Sequence, residues 1–109
     1  MLCYTQQDND IIIHVEITDL IFGSLNVHFI KDKLIRDTPF LLTHKRVIID
    51  CTLMKKIDSL IIGVLLNLVQ MSRSVTKENR IYLYNANETL IKVFELLNVK
   101  DLFNFIEVI

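Results

Sequence analysis

Glycine, proline and tryptophan are scarce in this chain. Its 109 residues include two glycines, one proline and no tryptophan. So little linker material disfavours several flexibly joined units, and the length suits one domain over residues 1–109. The longest apolar run, residues 60–69, is too short to cross a bilayer and contains Asn67. The first ten residues lack the basic start and apolar centre of a signal peptide, so we expect a cytoplasmic protein.

The chain also lacks an excess of charge of one sign, residues at the spacing of metal ligands, and clusters of catalytic residues. Twelve basic and thirteen acidic residues are mixed along the chain, which disfavours a nucleic-acid surface. Cys3 and Cys51 are far apart in sequence and are predicted to be reduced, partly buried thiols. No histidine has a second histidine or a cysteine at ligand spacing, so we expect no metal and no cofactor. Asp50 and Asp58 alone are weak evidence for an active site, and we expect no enzymatic activity.

Strand and helix patterns alternate along the chain. Residues 2–6 and 80–85 and the alternating segment 11–17 predict strands, and the apolar run 47–49 predicts a central one. A helix after Ser24 should end or bend at Thr38-Pro39, because proline removes a backbone donor. Asn87 is predicted to cap a later helix with the core residues Leu90, Val93, Phe94 and Leu97.

The end of the chain adds smaller elements. Asn98 is predicted to adopt the left-handed conformation that ends the helix after Asn87. Residues 100–109 predict a short helical turn and a last strand. The fold class is therefore α/β, with a mixed four- to five-stranded sheet and helices mainly on one face.

The segment after the central strand predicts a helix that begins at Asp58-Ser59. At 100° per residue, one arc of this helix carries the expected core residues Ile61, Val64, Leu65 and Leu68. Ser59 and Gly63 lie on another arc, and Ile62 and Leu66 are expected beside them, away from the sheet. Apolar side chains next to a glycine favour close approach of another protein. A helix edge covered by a loop of this chain is the alternative.

The segment VIIDCTLMKKIDSLIIGVLLNL resembles the STAS family, which includes sulfate-transporter tails and bacterial anti-sigma factor antagonists. That family has a strand ending in Asp, a short crossing, and Asp-Ser-Ser-Gly-Leu-Gly at the start of a helix. The corresponding positions here run from Asp58 to Gly63. The segment VFELLNVKDLF continues the likeness, which covers roughly residues 11–109.

The resemblance implies a function for Ser59. In the antagonists of the family, a partner kinase phosphorylates the serine at this position, and the phosphate breaks the complex with the anti-sigma factor. The resemblance thus implies a partner surface of Asp58, Ser59, Ile62, Gly63 and Leu66, an anti-sigma factor or serine kinase as partner, and phosphorylation at Ser59. On residue type alone, Ser59 or Asp58 could simply cap the helix.

Four positions depart from the family pattern. Leu60 replaces the second serine, Ile61 the first glycine, Phe22 an aspartate before the first helix, and Asn98 a glycine. These departures leave open an alternative: a STAS binding module without phosphorylation, such as a small subunit of a lipid-transport ATPase complex or a sensory scaffold. Weak homodimerisation is left open too.

Overall fold

Five strands form one mixed sheet. The computed structural model describes residues 2–15, 23–54 and 59–109, the side chains of residues 2 and 23–27 excepted. The strands are β1 (Leu2–Gln7), β2 (Asp10–Val15), β3 (Arg46–Asp50), β4 (Ile81–Tyr84) and β5 (Asn104–Ile106), in the spatial order β1-β2-β3-β4-β5. β1 pairs antiparallel with β2, and the other neighbours are parallel. The apolar run of β3 lies at the centre of the sheet, as predicted.

Three helices connect these strands. They are α1 (Gly23–Leu41), α2 (Ser59–Thr76) and α3 (Glu88–Leu96), and a 3-10 turn at Lys100–Leu102 precedes β5. α1 joins β2 to β3, and α2 joins β3 to β4. Because these three strands are parallel, each helix runs in the direction opposite to the strands, and the two helices are parallel to each other. α1 and α2 pack side by side.

The core lies between the helices and one face of the sheet. The buried cluster combines alternate strand residues such as Ile13, Ile49 and Leu83 with Leu34 of α1, Leu65 of α2 and others from α3. The intervening residues Ile12 and Ile48 are buried outside this cluster, on the opposite face. The prediction of an α/β sheet with helices mainly on one face is therefore confirmed.

Two asparagines fix the ends of α3 as predicted. The Asn87 side-chain oxygen accepts a 2.9 Å hydrogen bond from the Leu90 amide, which caps the helix. Asn98 follows the helix with a φ of 59°, in the left-handed region where asparagine is tolerated. Phe94 of α3 packs on Phe103, with 5.1 Å between the ring centroids, and on Phe105 of β5, and these contacts hold α3 against the edge of the sheet.

Three predictions about these elements are wrong. The predicted end of the helix at Thr38-Pro39 is wrong. Pro39 lies inside α1, which continues to Leu41, because a proline this near the end removes only one late hydrogen bond. Leu97 is exposed, since it follows the last turn of α3. Cys3 is exposed, and only Cys51 is buried. Burial raises the pKa of the Cys51 thiol to about 12.

Candidate functional site

Ser59 is the first residue of α2 and is exposed. The chain reaches it from the carboxyl end of β3, where the Cys51 amide donates a 2.9 Å hydrogen bond to the carbonyl of Tyr84. Met54, further along this connection, is buried, and its carbonyl accepts a hydrogen bond of 3.4 Å from the Asn87 side chain. The connection is thus anchored to the start of α3 before α2 begins.

Part of the predicted site lies outside the described residues. Asp58, predicted to begin the helix and to contact the partner, belongs to the undescribed segment 55–58, and Phe22 belongs to 16–22. The described part of the site therefore starts at Ser59. No acidic residue occupies the first turn of α2, so its described residues do not place a negative charge beside the hydroxyl.

Gly63 lies one turn after Ser59 and faces open space. A Cβ atom built on Gly63 would meet no atom within 4 Å. No described neighbour therefore requires a glycine at this position. Ser59 and Gly63 belong to an exposed strip of small and polar residues that continues along α2 through Asn67, Gln70 and Ser74.

The predicted position of Ile62 is wrong. Its side chain is only 5% exposed and belongs to the core cluster, and Leu66 is half-buried against the same cluster. The buried arc of α2 is wider than the angular count indicated, because α1 packs beside α2 while the sheet lies beneath it. Of the predicted partner surface, the described residues leave Ser59 and Gly63 exposed and Leu66 at the edge, and they place Ile62 in the core.

A polar cluster that the sequence reading missed lies on the sheet face opposite the helices. His14 Nδ1 lies 3.0 Å from Asp50 Oδ2, and His14 Nε2 lies 3.1 Å from the hydroxyl of Thr5. The other Asp50 oxygen accepts hydrogen bonds from the amide and the hydroxyl of Thr52. Asn85 in turn donates to the Thr52 hydroxyl. The cluster joins β1, β2 and β3 to the connection that leads toward α2.

The hydrogen bonds of this cluster stabilise the ionised form of Asp50. Burial raises the pKa of Asp50, but the bonds from Thr52 and from His14 outweigh it, so the pKa lies below its usual value. A sequence signal existed. In the sequence, His14 faces outward from its strand and Asp50 ends the next one, and the two are partners in the register of β2 and β3. The register cannot be derived from the sequence before the pairing of the strands is known.

α2 also meets the minimum requirements for a membrane span. Among the residues that the structure describes, it is the one helix long and apolar enough to cross a membrane. Seven of its residues are buried in the core. The central helix of a water-exposed globular fold meets the same two requirements, and burial of this kind fits such a helix.

The fold agrees with one protein family. Residues 4–109 match the family described as STAS domain, and the chain belongs to it. The resemblance read from the sequence is thereby confirmed. No curated protein matches the chain in sequence.

Solved structures of similar fold include the anti-sigma factor antagonist SpoIIAA. The crystal structure of TM1081 from Thermotoga maritima matches with a TM-score of 0.75 and 18% identity, over 99% of this chain and 87% of that one. The anti-sigma factor antagonist SpoIIAA, unphosphorylated, matches with a TM-score of 0.73 and 17% identity, over 98% and 89%. A serine-to-glutamate variant of RsbS from Moorella thermoacetica matches with a TM-score of 0.68 and 11% identity, over 99% and 87%. At sequence identities this low, the structural matches show a shared fold and no more.

Proposed function

We propose that this protein is a regulatory, non-enzymatic antagonist of an anti-sigma factor, and that phosphorylation of Ser59 switches it off. The observation that carries the proposal is the exposed Ser59 hydroxyl at the start of α2, next to the open surface at Gly63. The fold similarity to SpoIIAA, which has been solved in unphosphorylated and phosphorylated forms, supports it. The proposed partner is an anti-sigma factor that is also a serine kinase, in the cytoplasm.

The isolated protein should tolerate a phosphate at this position. A helix N-terminus carries the positive end of the helix dipole, and a nearby anion stabilises it by about 0.3–1 kcal/mol. The first turn of α2 contains no acidic residue, and Asp58, directly before Ser59 in the sequence, is the acidic neighbour whose repulsion subtracts from this gain. Phosphorylation of Ser59 should therefore leave the fold intact or slightly stabilised.

The complex should not tolerate it. A partner seated over Ser59 and Gly63 would bury the phosphate without a counter-charge, and an uncompensated buried charge at an interface costs about 2–5 kcal/mol. That cost corresponds to a loss of affinity of roughly 30-fold to several thousand-fold. The opposite signs of the two effects make Ser59 suitable for a switch.

The test uses two serines of the same helix. Ser74 is also exposed, on the same strip of α2 but at its C-terminal end. We expect Ser59→Asp to lose binding to an anti-sigma factor encoded in the same cell, whereas Ser59→Ala binds but is not phosphorylated by it. Ser74→Asp and Ser74→Ala should bind and accept phosphate like the wild type.

The measurements are titration calorimetry with the purified partner and mass spectrometry of the α2 peptide after incubation with ATP. Equal affinity of Ser59→Asp and the wild type, together with an unmodified Ser59, would exclude the switch. Binding that persists in that case would favour the alternative of a constitutive STAS binding module. The departures from the family pattern at Leu60 and Ile61 are the observation that favours this alternative.

A further inference from the structure

The outward face of α1 exposes more apolar surface than a solvated helix needs. Phe29, Ile35 and Phe40 are 66%, 45% and 46% exposed, and Pro39 is exposed between the last two. On the buried side of the same helix, Ile30, Leu34 and Leu41 contact the core. Apolar side chains clustered on one exposed face of this kind mark an interaction surface.

Two opposite charges lie in the middle of this face. At 100° per residue, Asp32 and Arg36 are 40° apart, and the four apolar residues lie within about 80° of Asp32. Both charged side chains are exposed. Neither forms an ion pair with another residue in the described part of the chain. Arg36 acts on the neighbouring Asp37 carboxylate through its charge, without a direct ion pair, so both side chains remain available to a partner.

The order of these residues along α1 is self-complementary. When two copies of α1 pack antiparallel about a twofold axis at the level of residue 34, Asp32 of each copy faces Arg36 of the other. The same register places Phe29 opposite Pro39 and His28 opposite Phe40, since each pair is centred on position 34. A twofold interface uses the same patch on both copies and requires this kind of complementarity.

We propose that the α1 face of His28, Phe29, Asp32, Ile35, Arg36, Pro39 and Phe40 is a homodimer interface, with a second copy of this chain as its occupant. The apolar surface continues from Pro39 across a groove of about 280 Å³ to Met71 and Val75 of α2. This groove widens the interface beyond one pair of helices. The dimer should be weak, because two packed helices and the adjoining groove bury an area at the small end of the range for protein interfaces.

The proposed dimer leaves the Ser59 sites free. α2 runs parallel to α1, so in an antiparallel pair of α1 helices the two Ser59 residues lie at opposite ends of the dimer. One dimer could then bind two partner molecules. This inference does not depend on the function proposed for Ser59, and Ser59→Asp should leave self-association unchanged.

The test is sedimentation velocity at protein concentrations from about 10 μM to about 1 mM, a range that includes weak complexes. We expect a concentration-dependent shift from monomer to dimer for the wild type. In a dimer of either single variant, Asp32→Arg or Arg36→Asp, both pairs of residues 32 and 36 across the axis carry like charges. Each variant should therefore weaken the dimer by about tenfold or more. The double variant Asp32→Arg with Arg36→Asp should restore it.

Mixing the two single variants gives the sharpest result. In a mixed dimer both cross-axis pairs are again of opposite charge, so the mixture should associate when neither variant does so alone. Lys92→Glu, a charge reversal at an exposed position of α3, is the control and should change nothing. Phe29→Ser should weaken the dimer without affecting the fold, which circular dichroism checks.

Three outcomes would overturn the proposal. They are a wild type that is monomeric at every concentration, a dimer insensitive to both charge reversals, and single variants that fail to associate when mixed. If the α1 reversals instead abolish binding of the anti-sigma factor and leave self-association as it was, the face belongs to that protein and the homodimer is excluded.

Discussion

Tyr4 and Asp37 join the edge strand of the sheet to α1. The hydroxyl of Tyr4 in β1 donates a 2.8 Å hydrogen bond to the carboxylate of Asp37. The ammonium group of Lys33 donates to the same carboxylate oxygen and lies 4.7 Å from the centre of the Tyr4 ring. The bond from Tyr4 is the largest of the effects that hold the pKa of Asp37 below its usual value. Burial, followed by this bond, raises the pKa of Tyr4.

Tyr4→Phe should destabilise the protein by about 1.5–3 kcal/mol, the usual contribution of a hydrogen bond to a charged group. The ring and its packing remain, so the loss reports the hydroxyl. Urea unfolding at pH 7 measures it. The matched control is Tyr84→Phe, at a half-buried tyrosine of β4, which we expect to cost less. Equal costs for the two variants would show that the Tyr4–Asp37 bond contributes nothing specific.

Asp50 gives the fold an acid-sensitive contribution. Its pKa is lower in the folded than in the unfolded chain, so it stabilises the fold above its unfolded pKa and loses this effect as the pH falls through its folded pKa. The difference in unfolding free energy between the wild type and Asp50→Asn should thus be present at about pH 5 and shrink as the pH falls below about pH 4. Urea unfolding from pH 3 to pH 7 measures it.

Thr52→Ala provides the companion measurement. It removes the hydroxyl that donates a 2.6 Å hydrogen bond to Asp50, which brings the folded-state pKa of Asp50 closer to its unfolded value. The loss of stability in acid should therefore be smaller, and complete at a higher pH, than in the wild type. A difference between wild type and Asp50→Asn that is as large at pH 3 as at pH 7 would contradict the assignment to the ionised carboxylate.

The neighbouring leucines of α2 test the angular phase of the helix. Leu65 is fully buried and Leu66 only half-buried. Leu65→Ala should cost about 2–5 kcal/mol, because it leaves a cavity under the central helix, and Leu66→Ala should cost clearly less. Denaturant unfolding of both variants gives the comparison. A larger loss for Leu66→Ala would mean that the phase of α2 is wrong.

The sequence predicted the features that depend on local patterns. Alternation in β2 and the apolar run of β3 gave the sheet, and the asparagines at 87 and 98 gave the ends of α3. Long-range pairs such as Tyr4–Asp37, 33 positions apart, depend on which surfaces meet and leave no local pattern. For Ile62, periodicity gave the direction of the side chain but not how far the neighbouring elements reach around α2. The same limit applies to Pro39, whose effect depends on how much helix remains after it.

The last prediction separates the open strip of α2 from its core. Gly63→Ala should stabilise the protein by about 0.5–1 kcal/mol, because the added methyl group meets nothing and alanine loses less entropy in a helix. Gly63→Arg should fold equally well and abolish binding of the anti-sigma factor, since the long side chain stands where that protein would approach. Asn67→Arg, one turn further along the strip, is the control for added charge and should bind more strongly than Gly63→Arg.

Ile62→Glu should behave in the opposite way to Gly63→Arg. Ile62 belongs to the core cluster, so a carboxylate there is buried without a partner, at a cost of several kcal/mol. Thermal unfolding followed by circular dichroism compares the two variants, and calorimetry with the partner compares their binding. If Ile62→Glu folds as stably as the wild type, this side of α2 is a surface after all. If Gly63→Arg binds normally, the partner does not approach α2 at this turn.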